Sequence, residues 1–212
     1  HKKKKINITS GFKNEKNKFE EKIKFKMHSN FVFKRIKQRH MKHGIILEGG
    51  GMRALFTSGI IDVLLEKNIR FDALAGVSAG ILFGCNYKSQ QSGRSLRYNI
   101  RFKDDKRYMS WKSLWKTGNY VNADFAYHTL PDILDPFDKE TFKNNPMAFY
   151  VTCTDIIEGK PVYKCIDEID DYAMEWFRAT ASMPVFARPV KINGYTLLDG
   201  GISDSIPLRF LQ

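Results

Sequence analysis

Cysteine is scarce in this 212-residue chain, present only as Cys85, Cys153 and Cys165. Three thiols cannot build a disulfide scaffold, and their separations fit none of the paired spacings that hold zinc. They read as reduced thiols of a cytoplasmic protein, with no metal expected. Histidine is also sparse: four of the five stand at positions 1, 28, 40 and 43, and only His128 follows. Long apolar runs are missing too. The longest charge-free stretch, Ala73 to Tyr87, is rich in glycine and shorter than the roughly 18 apolar residues a membrane span needs, which excludes a transmembrane helix. A GxxxxGK[ST] phosphate loop is likewise absent. What the chain does hold, 42% hydrophobic and 13% aromatic residues, suffices for the core of one medium domain.

The net charge of +12 resembles a nucleic-acid signal until it is located. Residues 1–40 carry 14 Lys/Arg against three Asp/Glu, so the remaining chain is nearly neutral and no nucleic-acid partner is expected for it. Two readings of residues 1–40 stand side by side. One is a disordered or non-native extension ahead of a natural start at Met41. The other is a basic amphipathic helix on an anionic membrane, carried by Phe19, Ile23, Met27 and Phe31, which leaves peripheral membrane association open.

From Met41 onward strand and helix patterns alternate, which predicts an α/β layered domain over 41–212. Strands are expected at Gly44 to Leu47, Phe71 to Ala75, Ala148 to Thr152, Pro161 to Cys165, near Val190, and at Tyr195 to Leu198. Helices are expected at Met52 to Lys67, Ala79 to Tyr87 and Asp171 to Thr180. Residues 88–146 resist assignment. There Arg94 to Tyr98 and Tyr108 to Trp115 mix cations with aromatics, as a lipid entrance or an ordinary core edge would. The chain stops where a helix after Pro207 would begin, which reads as a truncated product lacking C-terminal helices.

Gly76-Val77-Ser78-Ala79-Gly80 fits the GxSxG elbow, and its expected setting between a strand and a helix is the one that presents a serine hydroxyl above a sheet. A hydrolase triad in the order Ser, acid, His needs a late histidine, and none follows His128, itself read as structural. A carboxylate at a strand end remains: Asp199, released into Gly200 and Gly201, either a proton acceptor for the serine or a plain turn. Gly49-Gly50-Gly51, followed by Arg53, presents consecutive backbone N–H groups suited to an anion or a developing oxyanion. The same stretch matches the dinucleotide fingerprint only loosely, because Asp72 opens the next strand instead of ending it. Asp104-Asp105 and Asp170-Asp171 read as solvated loop charge.

These three motifs, in this order and spacing, resemble the patatin-like phospholipase family. Thr154-Asp155, Glu158 to Tyr163 and Ala179 to Pro184 are similar to its intervening segments. The resemblance covers 41–212 and implies a three-layer α/β/α fold with a mostly parallel central sheet, and a serine acyl hydrolase without cofactor. It implies Ser78 as nucleophile and Asp199 as base. The oxyanion hole would come from Gly49, Gly50 and Gly51, steadied by Arg53 and joined by the Ala79 N–H, with Gly76, Gly80, Gly200 and Gly201 shaping the turns. Lipids or other acyl esters would be the substrates. Ala54 stands where the family has glycine. The alternative is a catalytically inactive remnant or a lipid-binding module.

Overall fold

The computed structural model describes residues 42–105, 107–108, 113, 115, 117–122 and 124–212. The expectations for residues 1–40 and for Trp111 lie outside the described residues.

Six strands form one mixed sheet in the order β1-β2-β3-β6-β5, with β4 on β3. The strands are β1 (Gly44–Leu47), β2 (Ala73–Val77), β3 (Ala148–Asp155), β4 (Lys160–Cys165), β5 (Val190–Ile192) and β6 (Tyr195–Asp199). β1, β2 and β3 are parallel neighbours, whereas β4 and β6 run antiparallel to β3 and β5 antiparallel to β6, so four strands share one direction. Leu74, Ala75, Val77, Phe149, Val151 and Cys153 are all buried. Such nearly continuous burial along β2 and β3 is what a sheet covered on both faces demands. The result is a three-layer α/β/α architecture.

The helices are α1 (Leu55–Glu66), α2 (Ala79–Lys88), α3 (Arg94–Phe102), α4 (Lys139–Asn144), α5 (Asp171–Thr180) and the short α6 (Leu208–Leu211). A 3-10 turn over Gly51–Ala54 precedes α1, so the helix expected from Met52 starts regular winding three residues later. The second strand also lies two residues beyond its expected place. Asp72 sits just ahead of it, its N–H on the His43 carbonyl and its carboxylate on the His43 N–H. The strand then continues through Gly76 and Val77, leaving no loop before Ser78. Asp170 is not merely a solvated charge, because its carboxylate caps α5 by accepting the Ala173 N–H at 2.7 Å. Asp105 pairs with Arg107.

Residues 88–146 hold α3, α4 and a π-helix over Phe125–Leu134 that contains Pro131. A half-buried ionic knot ties α3 to the end of the π-helix and to α2. Arg94 donates to the Asp135 carbonyl and to Asn86 Oδ1, while Arg97 grips both Asp135 carboxylate oxygens at 2.8 and 2.9 Å. Among the described residues, no helix is long and apolar enough to cross a membrane.

Candidate active site

Ser78 occupies the single residue between β2 and α2, at φ 52° and ψ −129°. A non-glycine residue at positive φ is strained, and strain of this kind persists only where the surroundings fix it. Here the Ser78 N–H donates to Thr180 Oγ1 at 2.9 Å, and the Thr180 hydroxyl in turn donates to the Thr152 carbonyl at 2.5 Å. On the other side the Ser78 carbonyl accepts the N–H groups of Ile81 and Leu82, opening α2.

The turn closes this tightly because its flanks lack side chains. A Cβ on Gly80 would stand 2.3 Å from the Leu47 carbonyl oxygen, and one on Gly76 would stand 3.1 Å from the same atom. The C-terminal end of β1 therefore lies directly against the elbow. The chain leaving β1 carries Gly49 to Ser78, where an added Cβ would come within 3.0 Å of the serine Cβ. Gly50 and Gly51 follow at φ 146° and 56°, backbone states open to glycine. The Arg53 N–H bonds the Gly50 carbonyl at 3.2 Å, and its side chain is exposed beside the turn. Gly51, Ser78 and Ala79 line one cavity.

Asp199 arrives by a route that strand patterns do not disclose. The sequence reading placed it at the carboxyl end of a parallel strand, but β6 is antiparallel to β3. Val77 pairs with Thr152 and Asp199 with Cys153 on the same flank of β3, the opposite flank being taken by β4. The two strands thus end at the same level from opposite directions. Ser78 and Asp199 are both buried, each 7% exposed. The carboxylate meets the serine hydroxyl, and its Oδ1 accepts the Gly201 N–H at 2.8 Å. Burial raises the Asp199 pKa, while the hydrogen bonds from Ser78 and Gly201 partly offset the rise. Gly200 is pressed onto Thr152, whose carbonyl oxygen an added Cβ would meet at 2.3 Å. The Asp199 backbone is held by its N–H on the Ser182 carbonyl and by the Thr154 hydroxyl on its own carbonyl.

A cavity of about 290 Å³ opens beside Ser78. It follows α2 past Leu82 and Phe83 toward Arg94 and Phe137, with Tyr127 and Leu130 of the π-helix along its wall. Its lining is predominantly apolar, as suits an alkyl chain. Arg94, Tyr98 and Tyr108 belong to this wall, so the unassigned middle of the sequence supplies the pocket, whereas Trp115 stands in solvent. Cys85 is a second nucleophile type in the lining, but burial pushes its thiol up to about 12 and leaves it protonated at neutral pH. Of the two described histidines, neither lines the cavity; His128 is half-exposed, 4.0 Å from an Asp171 carboxylate oxygen. Among the described residues, no group of three or more His, Cys, Asp or Glu is placed to hold a metal ion.

Sequence reasoning missed Thr180 as the partner of the Ser78 N–H and the π-helix as a cavity wall. Only the position of Thr180 within the Ala179 to Pro184 segment hinted at it.

Comparison with known proteins identifies the family. The family model described as patatin-like phospholipase matches residues 45–211. An uncharacterized Escherichia coli protein, YjjU, is 27% identical over 178 residues, covering 78% of this chain and 47% of that protein. The lysophospholipase NTE1 of Candida glabrata is 27% identical over 172 residues, 78% of this chain and 9% of that protein. Its Saccharomyces cerevisiae counterpart is 24% identical over 175 residues, 80% of this chain and 10% of that protein. The chain spans about half the length of the bacterial relative and about a tenth of the fungal ones. With the model match extending from β1 to the last helix, the chain belongs to the patatin-like phospholipase family.

Proposed function

We propose that residues 41–212 form a serine acyl hydrolase that cleaves carboxylic esters of lipids through Ser78 and Asp199. The observation that carries this reading is the meeting of a strained serine and a buried carboxylate at the end of an apolar cavity. Asp199 takes the hydroxyl proton as Ser78 Oγ adds to the ester carbonyl. The negative charge on the carbonyl oxygen faces the N–H groups of Gly49, Gly50 and Gly51 and that of Ala79 at the start of α2, where the helix leaves its first donors unpaired. Collapse returns the proton from Asp199 to the departing alcohol and leaves an acyl-serine. Water, deprotonated by the same carboxylate, then releases the fatty acid. The lysophospholipase name of the fungal relatives supports a lipid substrate, and a chain of this kind works where lipid is, in peripheral contact with a membrane.

A fluorophosphonate probe tests the reading. Intact mass should show one adduct on the wild-type chain and none on Ser78→Ala. A folded wild-type chain that takes no adduct would favour the lipid-binding or inactive-remnant alternative.

The apolar cavity supports a place for the acyl group. Ala126 lies on the π-helix facing that space, so Ala126→Trp should fill the channel beyond the first carbons. Turnover of a p-nitrophenyl decanoate is expected to fall about tenfold or more while the butyrate is retained. Equal losses on both esters would place the acyl chain elsewhere.

A further inference from the structure

The cavity wall does not end at the protein surface. Met52 and Met183 line the cavity and are also 47% and 44% exposed, so they form two lips of its mouth. Beyond each lip stands a side chain that the fold does not cover. One turn past Met52, Phe56 on α1 is 78% exposed; past Met183, Val185 is 87% exposed. Large apolar side chains held in water on both sides of one opening are of the kind that mark an interaction site.

Val185 adds a second, independent observation. Met183 to Phe186 is a tight turn closed by the Phe186 N–H on the Met183 carbonyl, with Pro184 second and Val185 third at φ 71°. Glycine or asparagine ordinarily fills that third position, since a β-branched side chain is strained there. The fold gains no burial from the valine, so the strain is unrepaid within the chain. The turn is nevertheless anchored: the Phe186 carbonyl accepts the Tyr120 N–H, and Tyr120 lines the cavity. Two arginines flank the lips, with the exposed Glu48 just ahead of the glycine turn. Arg53 beside the first lip and Arg188 beyond the second are exposed, and among the described residues neither has an acidic partner.

We propose that this rim, with Phe56 and Val185 at its two crests, is a docking surface for an anionic phospholipid bilayer. The apolar crests enter the headgroup and acyl boundary, the two arginines meet lipid phosphates, and an acyl chain passes from bilayer to cavity without crossing water. A permanent protein cover would close the entrance, which argues for a partner that is also the source of the substrate. The inference rests on the acyl-hydrolase reading of the cavity.

The test uses the full chain carrying Ser78→Ala, so that vesicles are not consumed. Flotation with phosphatidylcholine vesicles, with and without phosphatidylglycerol, is expected to show binding that needs the anionic lipid and weakens with salt. Phe56→Asp and Val185→Asp, both at exposed positions, should each weaken it about tenfold or more. In the Ser78 background both should turn over p-nitrophenyl butyrate as wild type does. Variants that bind vesicles as well as the parent would place membrane contact elsewhere, residues 1–41 included, and overturn the proposal. So would a wild-type chain that ignores vesicles, and so would one that dimerises through this face and becomes monomeric with Phe56→Asp. Loss of butyrate turnover in the wild-type chain itself would instead strike the catalytic reading, leaving the flotation result to decide the docking surface.

Discussion

An Asp199→Asn chain is expected to lose ester turnover by about 10²–10⁴-fold while melting no lower than the wild type. The two halves of that expectation have one cause. Burial raises the Asp199 pKa above its unfolded value, so the folded state prefers the protonated acid. The favourable contribution is fully present below the ordinary carboxylate pKa of about 3.9 and is lost as pH rises through the raised value. At neutral pH the ionised carboxylate therefore opposes folding. Asparagine removes that opposition and keeps an oxygen for the Gly201 N–H, yet it cannot accept a proton. Wild-type activity should fall on acidification with a midpoint above the ordinary aspartate value. The pH–rate profile together with a thermal melt checks this. Near-wild-type turnover in the variant would remove Asp199 as base, and a markedly lower melting temperature would contradict the account of its burial.

Gly80→Ala should be among the most damaging single methyl additions at the described glycines. The added carbon would lie 2.3 Å from the Leu47 carbonyl oxygen and 2.7 Å from that of Glu48. Both are backbone atoms, and β1 is fixed on β2 through Leu47 and Gly76. Neither side can yield without breaking the sheet at the elbow, so the loss should exceed the ordinary overpacking range of about 1–3 kcal/mol, with little folded protein recovered. Gly59 provides the contrast. It lies within α1 with nothing within 4 Å of an added Cβ, and Gly59→Ala should stabilise by about 0.5–1 kcal/mol. Chemical denaturation of the two variants measures the difference. A Gly80→Ala chain as stable as the wild type would mean that the elbow is looser than its contacts indicate.

Much of this arrangement was legible because its signals are local. α5 runs from Asp171 to Thr180 as its pattern predicts, and α2 begins directly after the GxSxG serine. Ser78 and the glycine turn could be singled out because their chemistry needs small residues at set intervals within a few positions. Three things were hidden for physical reasons. The direction of β6 depends on which neighbour it pairs with, and no residue within Tyr195–Asp199 encodes that choice. The π-helix holds Pro131, which by local rules should interrupt a helix. Thr180 acts through a backbone N–H far away in sequence, a partnership that only the packed sheet creates.

The route by which Asp199 reaches Ser78 also sets a timetable. During synthesis the serine elbow, β1 and β2 emerge well before β6, whose place beside β3 is a long-range pairing of the slow kind. Under the proposed mechanism, a nascent or partly folded chain therefore carries Ser78 without its proton acceptor. By the same mechanism, hydrolytic power arrives only when β6 docks on β3, and lipids near an unfinished chain are spared until then.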